Sequence, residues 1–235
     1  MISGLQKMTL LDYPGKVACT VFLQGCNFRC PFCHNSGLLD KESAETIPVE
    51  ELTAFLKKRV GLLDGVCVTG GEPTLQPALE DLLKSIKALG YLVKLDTNGN
   101  RPQVVKTLVE KGLVDYIAMD IKNCPARYGQ TAGVPDMTLV WVEESIRYLL
   151  AGNVDYEFRT TVAEELHTPQ DFEDMGKWFA ALDPEHKPEK FFIQPYVDRD
   201  SVLATGLHTP SQEKLQQMAD AIAPFAKTVK IRGMD

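Results

Sequence analysis

Apolar positions along the chain switch between a spacing of two over short stretches and helical spacing over longer ones, which predicts strands and helices in alternation. Val17 to Leu23 (VACTVFL) is rich in β-formers and stops at Gly25, giving a first strand. Pro48 opens a helix whose Leu52, Phe55 and Leu56 share a face, and GVCVTGG from Gly65 reads as a short buried strand. Pro77 starts a helix with Leu79, Leu82, Leu83, Ile86 and Leu89, stopped by Gly90, before YLVKLDTNG as strand and turn. A helix from Pro102 carries Val104, Val105, Leu108 and Val109 and closes at Gly112 ahead of the strand VDYIAMDIK. Leu139 to Leu150 predicts the next helix and VDYEFRTTV the next strand.

Thr168 and Pro169 have the cap and first-turn chemistry of a helix burying Phe172, Met175, Phe179 and Leu182, followed by the strand KFFIQPY. Thr209, Pro210 and Gln212 have the capping-box order T-x-x-Q for a last helix with Leu215, Met218 and Ile222, and TVKIRG is a terminal strand. Strands alternating with helices imply an α/β fold whose parallel sheet has right-handed crossovers. Six such units fall two short of a closed barrel, so the expected architecture is an open, partial (βα)6 TIM-like barrel, with a doubly wound open sheet as the alternative. Residues 1–235 are expected to form one domain around one core.

Both architectures gather active groups where strands end and loops begin. The polar clusters after successive strands are the loop holding Cys26, Cys30 and Cys33, then Gly70-Gly71-Glu72-Pro73, Asp96-Thr97-Asn98-Gly99 and Asp120-Ile121-Lys122, then Arg159 near the fifth strand end, and Gln194-Pro195-Tyr196. All fall on one predicted rim, where structural residues have no reason to collect.

A net charge of -7 argues against a broad basic surface for nucleic acid. No stretch approaches the roughly 20 apolar residues of a membrane span, and the opening MISGLQKMTLLDYPGK lacks the order of a secretory signal, so a cytoplasmic protein is expected. Of six cysteines, three are clustered while Cys19, Cys67 and Cys124 lie far apart, which suits a metal site in a reducing compartment better than a disulfide framework.

Cys26, Cys30 and Cys33 are spaced C-x3-C-x2-C, one thiolate short of a closed metal shell. Structural zinc takes four Cys or His ligands, commonly in two halves, and iron-sulfur clusters also use thiolates. His34 is a conceivable fourth zinc ligand, but neighbouring side chains of an extended segment point apart, and no second C-x2-C or H-x3-H half occurs.

CNFRCPFC followed by GGEP, DTNG and DIK resembles the radical S-adenosylmethionine superfamily, over nearly the whole predicted barrel. Within it the short length, the DYPGK opening and FLQGCNFRCPFCHN resemble activating enzymes of glycyl-radical enzymes, above all those of anaerobic ribonucleoside-triphosphate reductase, with pyruvate formate-lyase activating enzyme a relative. The resemblance implies that the three thiolates bind three irons of one 4Fe-4S cluster and leave the fourth iron for the amino and carboxylate groups of S-adenosylmethionine. An electron passed through the cluster then cleaves the sulfonium to methionine and a 5'-deoxyadenosyl radical. A glycyl-radical enzyme as protein substrate and a flavodoxin or ferredoxin as electron donor are also implied; a small-molecule radical enzyme of modified-base biosynthesis is the alternative.

Carried over on matching motifs, Phe32 lies against the cluster, and Gly70, Gly71 and Glu72 meet the methionyl amino group, where glycines allow close approach and a carboxylate suits an ammonium. Asp96, Thr97, Asp120 and the Ala118 carbonyl are implied as hard oxygen ligands of a monovalent cation beside the cofactor carboxylate; the bland alternative is a turn and a strand-end charge. Thr97, Asn98 and Lys122 are expected cofactor contacts. Arg159 needs a partner if buried, either the cofactor or a neighbouring acid, and Tyr196 is expected to border the adenine. Asp12 is a candidate contact to the substrate peptide, although D-x-P-G is also turn chemistry. Cys19 and Cys67 read as small core residues, Cys124 has no cysteine partner nearby, and His34, His167, His186 and His208 form no ligand spacing.

Overall fold

A computed structural model describes residues 1–39, 46–198 and 201–233 of the chain. Its elements in order are β1 (Ile2–Thr9), β2 (Ala18–Leu23), α1 (Val49–Lys57), β3 (Gly65–Gly70), α2 (Leu79–Lys87), β4 (Leu92–Thr97), α3 (Pro102–Glu110), β5 (Tyr116–Asp120), α4 (Tyr128–Ala132), α5 (Val140–Leu150), β6 (Asp155–Val162), α6 (Pro169–Leu182), β7 (Phe191–Pro195), α7 (Gln212–Ile222) and β8 (Val229–Ile231). The eight strands follow sequence order across the sheet, β1 to β8. β2 pairs with β3, β3 with β4, β6 with β7 and β7 with β8, all parallel. These are the six strand-helix units and terminal strand that the periodicity predicts.

β1 and α4 were not predicted. β1 runs antiparallel to β2 with register shifts between Ile2 and Gly4 and between Gln6 and Thr9, and such bulges destroy the alternation by which a strand is recognised. α4 is a single turn and a half with little apolar periodicity, closed by Gly133 at φ 69°. The cap of α7 is corrected: Ser211, not Thr209, accepts the Lys214 amide at 3.2 Å. The Thr209 hydroxyl is engaged elsewhere, donating to the Tyr196 carbonyl at 2.6 Å. The Thr168 cap stands as a full capping box with Asp171.

Contacts divide the chain into two compact units. The first comprises Met1–Asn27, Gly37–Thr97 and Gln103–Ala118; the second comprises Phe28–Ser36, Asn98–Pro102 and Met119–Asp235. In the first, the alternate strand residues Cys19, Val21, Val66, Val68, Val93 and Leu95 form an apolar, fully buried layer. This is the side that amphipathic α1 and α2 are suited to cover, through Leu52, Leu56, Leu79, Leu83 and Ile86.

The other set forms rows across β2, β3 and β4, because register partners in a parallel sheet share a face. Ala18, Gly65 and Leu92 make one row, and Thr20, Cys67 and Lys94 the next. Tyr13 seals the first row, packing with Ala18, Leu92 and Tyr116, and a Cβ on Gly65 would stand 3.0 Å from its ring.

The second unit is built on aromatic packing. Phe158 stacks on Phe179 at 5.3 Å between ring centroids, and Phe172 meets Phe191 edge-on at 6.1 Å. On the opposite face of β6, buried Glu157 is bonded by Arg232 at 2.6 Å, and that guanidinium lies 4.6 Å from the Phe192 ring centre. No helix among the described residues is long and apolar enough to cross a membrane.

Candidate active site

In the first unit, the start of the cysteine loop is zipped to the loop after β3. Gly71 donates its amide to the Leu23 carbonyl and Glu72 to the Gly25 carbonyl, both at 2.8 Å. Only glycine fits here: Gly70 has φ 117°, and a Cβ on either Gly70 or Gly71 would overlap the backbone of Leu23 or Gly25. The glycine pair thus fixes the backbone on which Cys26 is carried. Glu72 is 1% exposed, and one oxygen of its carboxylate accepts the Thr74 amide at 3.0 Å, the Thr74 hydroxyl at 2.5 Å and the Thr97 hydroxyl at 2.8 Å. That oxygen closes the 3-10 turn Pro73–Leu75 and ties it to the end of β4.

Asp96 shares its sheet face with Cys67 and Lys94. Lys94 forms an ion pair with Asp96, and the Cys67 sulfur lies 3.8 Å from both the Lys94 ammonium and the Asp96 carboxylate. Ala118 is buried in β5. Asp12 turns back from the β1–β2 connection and accepts the Thr20 hydroxyl at 2.5 Å. It therefore bonds to the row that carries Cys67 and Lys94, in the first half of β2.

In the second unit, Cys30 and Cys33 are linked by a turn, the Cys33 amide donating to the Cys30 carbonyl at 3.0 Å. The C-terminus of α4 braces them: the Arg29 amide donates to Ala132 at 2.9 Å, and the Cys30 thiol lies 3.7 Å from the same carbonyl. A Cβ on Gly133 would overlap the Arg29 carbonyl, so this approach also requires glycine. Phe32 is buried with its ring centre 6.2 Å from that of His167. His167 accepts the Ala163 amide at Nδ1 at 3.3 Å, which leaves Nε2 to donate to the Lys122 carbonyl at 2.9 Å. Burial lowers its pKa to about 4, outweighing those hydrogen bonds, and the ring is neutral.

Lys122 bonds Asp120 at 2.9 Å, and Arg159 contacts the other oxygen of that carboxylate. Burial favours the neutral form of Asp120, but the charges of Arg159 and Lys122 win and hold its carboxyl well below the usual range. Burial likewise works against the Lys122 charge and is overcome by Asp120 and Cys30, so its pKa is raised. Burial pushes the Cys33 thiol up, while the Asn35 amide and then Lys122 pull it down. Arg159 stands in mid-strand rather than at the strand end, and its partner is the neighbouring acid.

Asn98 is buried with its Oδ1 on the Asn100 amide at 3.0 Å, closing the turn after β4. The Tyr196 hydroxyl donates to Asp198 at 2.9 Å, and its ring stacks on His34 at 5.7 Å. His34 Nε2 also reaches the Val197 carbonyl at 2.8 Å, so the end of the cysteine loop is held by the segment after β7.

A match to the model of the Radical SAM superfamily covers residues 20–179, which contain all three loop cysteines, the glycine pair and the Asp120, Lys122 and Arg159 cluster. The chain belongs to that superfamily. A Methanocaldococcus jannaschii protein named as a candidate glycyl-radical enzyme activating enzyme is 29% identical over 99% of this chain and 95% of its own length. The pyruvate formate-lyase-activating enzyme of Clostridium pasteurianum is 34% identical over 52% of each chain. Streptococcus suis SuiB, solved bound to S-adenosylmethionine, superposes with a TM-score of 0.67 at 13% identity, over 91% of this chain and 52% of that one. The fold is the open, partial (βα)6 barrel of radical SAM enzymes.

The cofactors of this superfamily, and so of this enzyme, are a 4Fe-4S cluster and S-adenosylmethionine. The residues present fit them. None of Cys26, Cys30 and Cys33 is in a disulfide, and glycine contacts brace the backbone of the loop that carries them in each unit.

Lys94 and His167 join these clusters only in the folded chain. A lysine two residues before Asp96 in an otherwise apolar strand was the available signal for the first, since a buried ammonium demands a partner. His167 gave no local signal, because its partners Ala163, Lys122 and Phe32 come from three segments.

Proposed function

We propose that the chain is an activase that removes a hydrogen atom from the Cα of one glycine in a partner glycyl-radical enzyme, and that this partner is an anaerobic ribonucleoside-triphosphate reductase. The observation that carries the reading is the end-to-end likeness to the candidate activase of M. jannaschii. The DYPGK opening and the FLQGCNFRCPFCHN block support the choice of the reductase.

When bound, the cluster and S-adenosylmethionine would supply a one-electron cleavage of the sulfonium into methionine and a 5'-deoxyadenosyl group able to take the glycine hydrogen atom. The chain's own residues hold and shield these groups. Cys26, Cys30 and Cys33 hold three irons, and Lys122 places positive charge beside two of those thiolates. Phe32 and His167 form an apolar wall behind the loop. Gly70 and Gly71 let the loop after β3 close against Leu23 and Gly25, next to Glu72, whose carboxylate suits the methionyl ammonium. A flavodoxin or ferredoxin delivers the electron.

The test is anaerobic incubation of the reduced, iron-loaded chain and S-adenosylmethionine with candidate partners, read by electron paramagnetic resonance. A glycyl doublet in the reductase is the expected result. A doublet only in a pyruvate formate-lyase would refute the choice of partner. 5'-Deoxyadenosine formed only with a small-molecule substrate would refute the activase reading.

A further inference from the structure

The motif resemblance implies a monovalent cation held by Asp96, Thr97, Ala118 and Asp120. The residues in place do not fit one. In the first unit the Lys94 ammonium already contacts Asp96. In the second, Asp120 is shared between Arg159 and Lys122. A metal cation at Asp96 would lie against an ammonium, and like charges at such range repel strongly in a buried setting.

Lys94 is not a surface lysine reaching inward. Its side chain is 2% exposed, and its position in the register puts it beside Cys67 and Thr20 on the polar face of the sheet. Burying an ammonium costs free energy unless a carboxylate meets it, and lysine is almost never fully buried unless paired. The ammonium is directed along β4 to Asp96, its ion-pair partner next to the last residue of the strand.

We propose that Lys94 is a positioning residue that replaces the monovalent cation, with its ammonium, anchored on Asp96, supplying the positive charge that receives the carboxylate of S-adenosylmethionine. This rests on the radical SAM assignment and not on the choice of partner enzyme. The chain therefore binds its cofactor without potassium or sodium.

The test is the affinity of the anaerobically reconstituted, iron-loaded protein for S-adenosylmethionine, measured by equilibrium dialysis in potassium chloride and in tetramethylammonium chloride. The wild type is expected to bind equally in both. Lys94→Met should bind roughly tenfold or more weakly in tetramethylammonium and regain affinity in potassium, while Lys94→Arg should stay independent of the salt. Rescue of affinity by potassium, with the unfolding midpoint of Lys94→Met the same in both salts, separates a positioning role from a purely structural one. Wild-type binding that needs potassium would overturn the proposal whether or not Lys94→Met folds, and so would Lys94→Met binding as tightly as the wild type without it. Failure of the wild type to bind S-adenosylmethionine in either salt would defeat the radical SAM reading and this inference with it. A wild type that binds equally in both salts yet activates no reductase would leave the inference standing and remove only the proposed partner.

Discussion

Thr97 donates its hydroxyl to Glu72 at 2.8 Å, so the last residue of β4 is tied by a buried side chain to the loop that follows β3. The same carboxylate oxygen holds the Thr74 amide and hydroxyl, and three donors therefore depend on one acceptor. Two strand ends that line the expected cofactor site are thereby set relative to each other before any ligand binds.

Glu72→Ala leaves those donors buried without an acceptor, which costs about 1–3 kcal/mol for such a group. Thr97→Val removes one donor and leaves the other two bonds in place, and it should cost less. Chemical denaturation of the two variants checks the order; equal losses would mean that the Thr97 bond, not the 3-10 turn, carries the effect.

Gly71→Ala would drive a Cβ into the Gly25 carbonyl, directly before Cys26, and overpacking of this kind costs about 1–3 kcal/mol. Gly37 has open space around it and no left-handed backbone, so Gly37→Ala serves as the control. After anaerobic reconstitution, Gly71→Ala should hold clearly less iron per chain than Gly37→Ala. Equal iron content would show that the loop moves aside at no cost to the cluster.

His167 gives stability a dependence on pH. Its folded pKa of about 4 lies below the ordinary 6.5, so as pH falls the unfolded chain takes up the proton first. The contribution is complete above 6.5 and is lost as pH drops from there toward 4. Wild-type stability should be about 2 kcal/mol lower near pH 5 than near pH 7 from this group alone. His167→Gln keeps a donor for Lys122 and an acceptor for Ala163 without titrating, and should lose that part of the slope in denaturant titrations at the two pH values.

Much of the fold was legible because each strand-helix unit carries its own periodicity and its own stop. Gly90 and Gly112 follow α2 and α3 with positive φ, and Thr168 caps α6, all as the residues suggested. β1 escaped because its bulges break the alternation, and Thr209 misled because its hydroxyl serves a carbonyl thirteen residues earlier in the chain.

The site divides in the same way. The three cysteines, GGE, DTNG and DIK declare themselves through short spacing, but partners such as Arg159 and Asp120 are separated by thirty-nine residues. Tyr196 stacking on His34 is another case, since neither residue signals the other locally.

By itself the sequence determined the order of strands and helices, the three-thiolate loop and the superfamily, because these follow from local periodicity and short motifs. Only the tertiary structure decided that Lys94 lies against Asp96 and beside Cys67, that Arg159 is spent on Asp120, and that the glycine pair zips the cysteine loop to β3. Those contacts depend on strand register and on which alternate side chains come to share a face, and register is settled only when the whole sheet assembles.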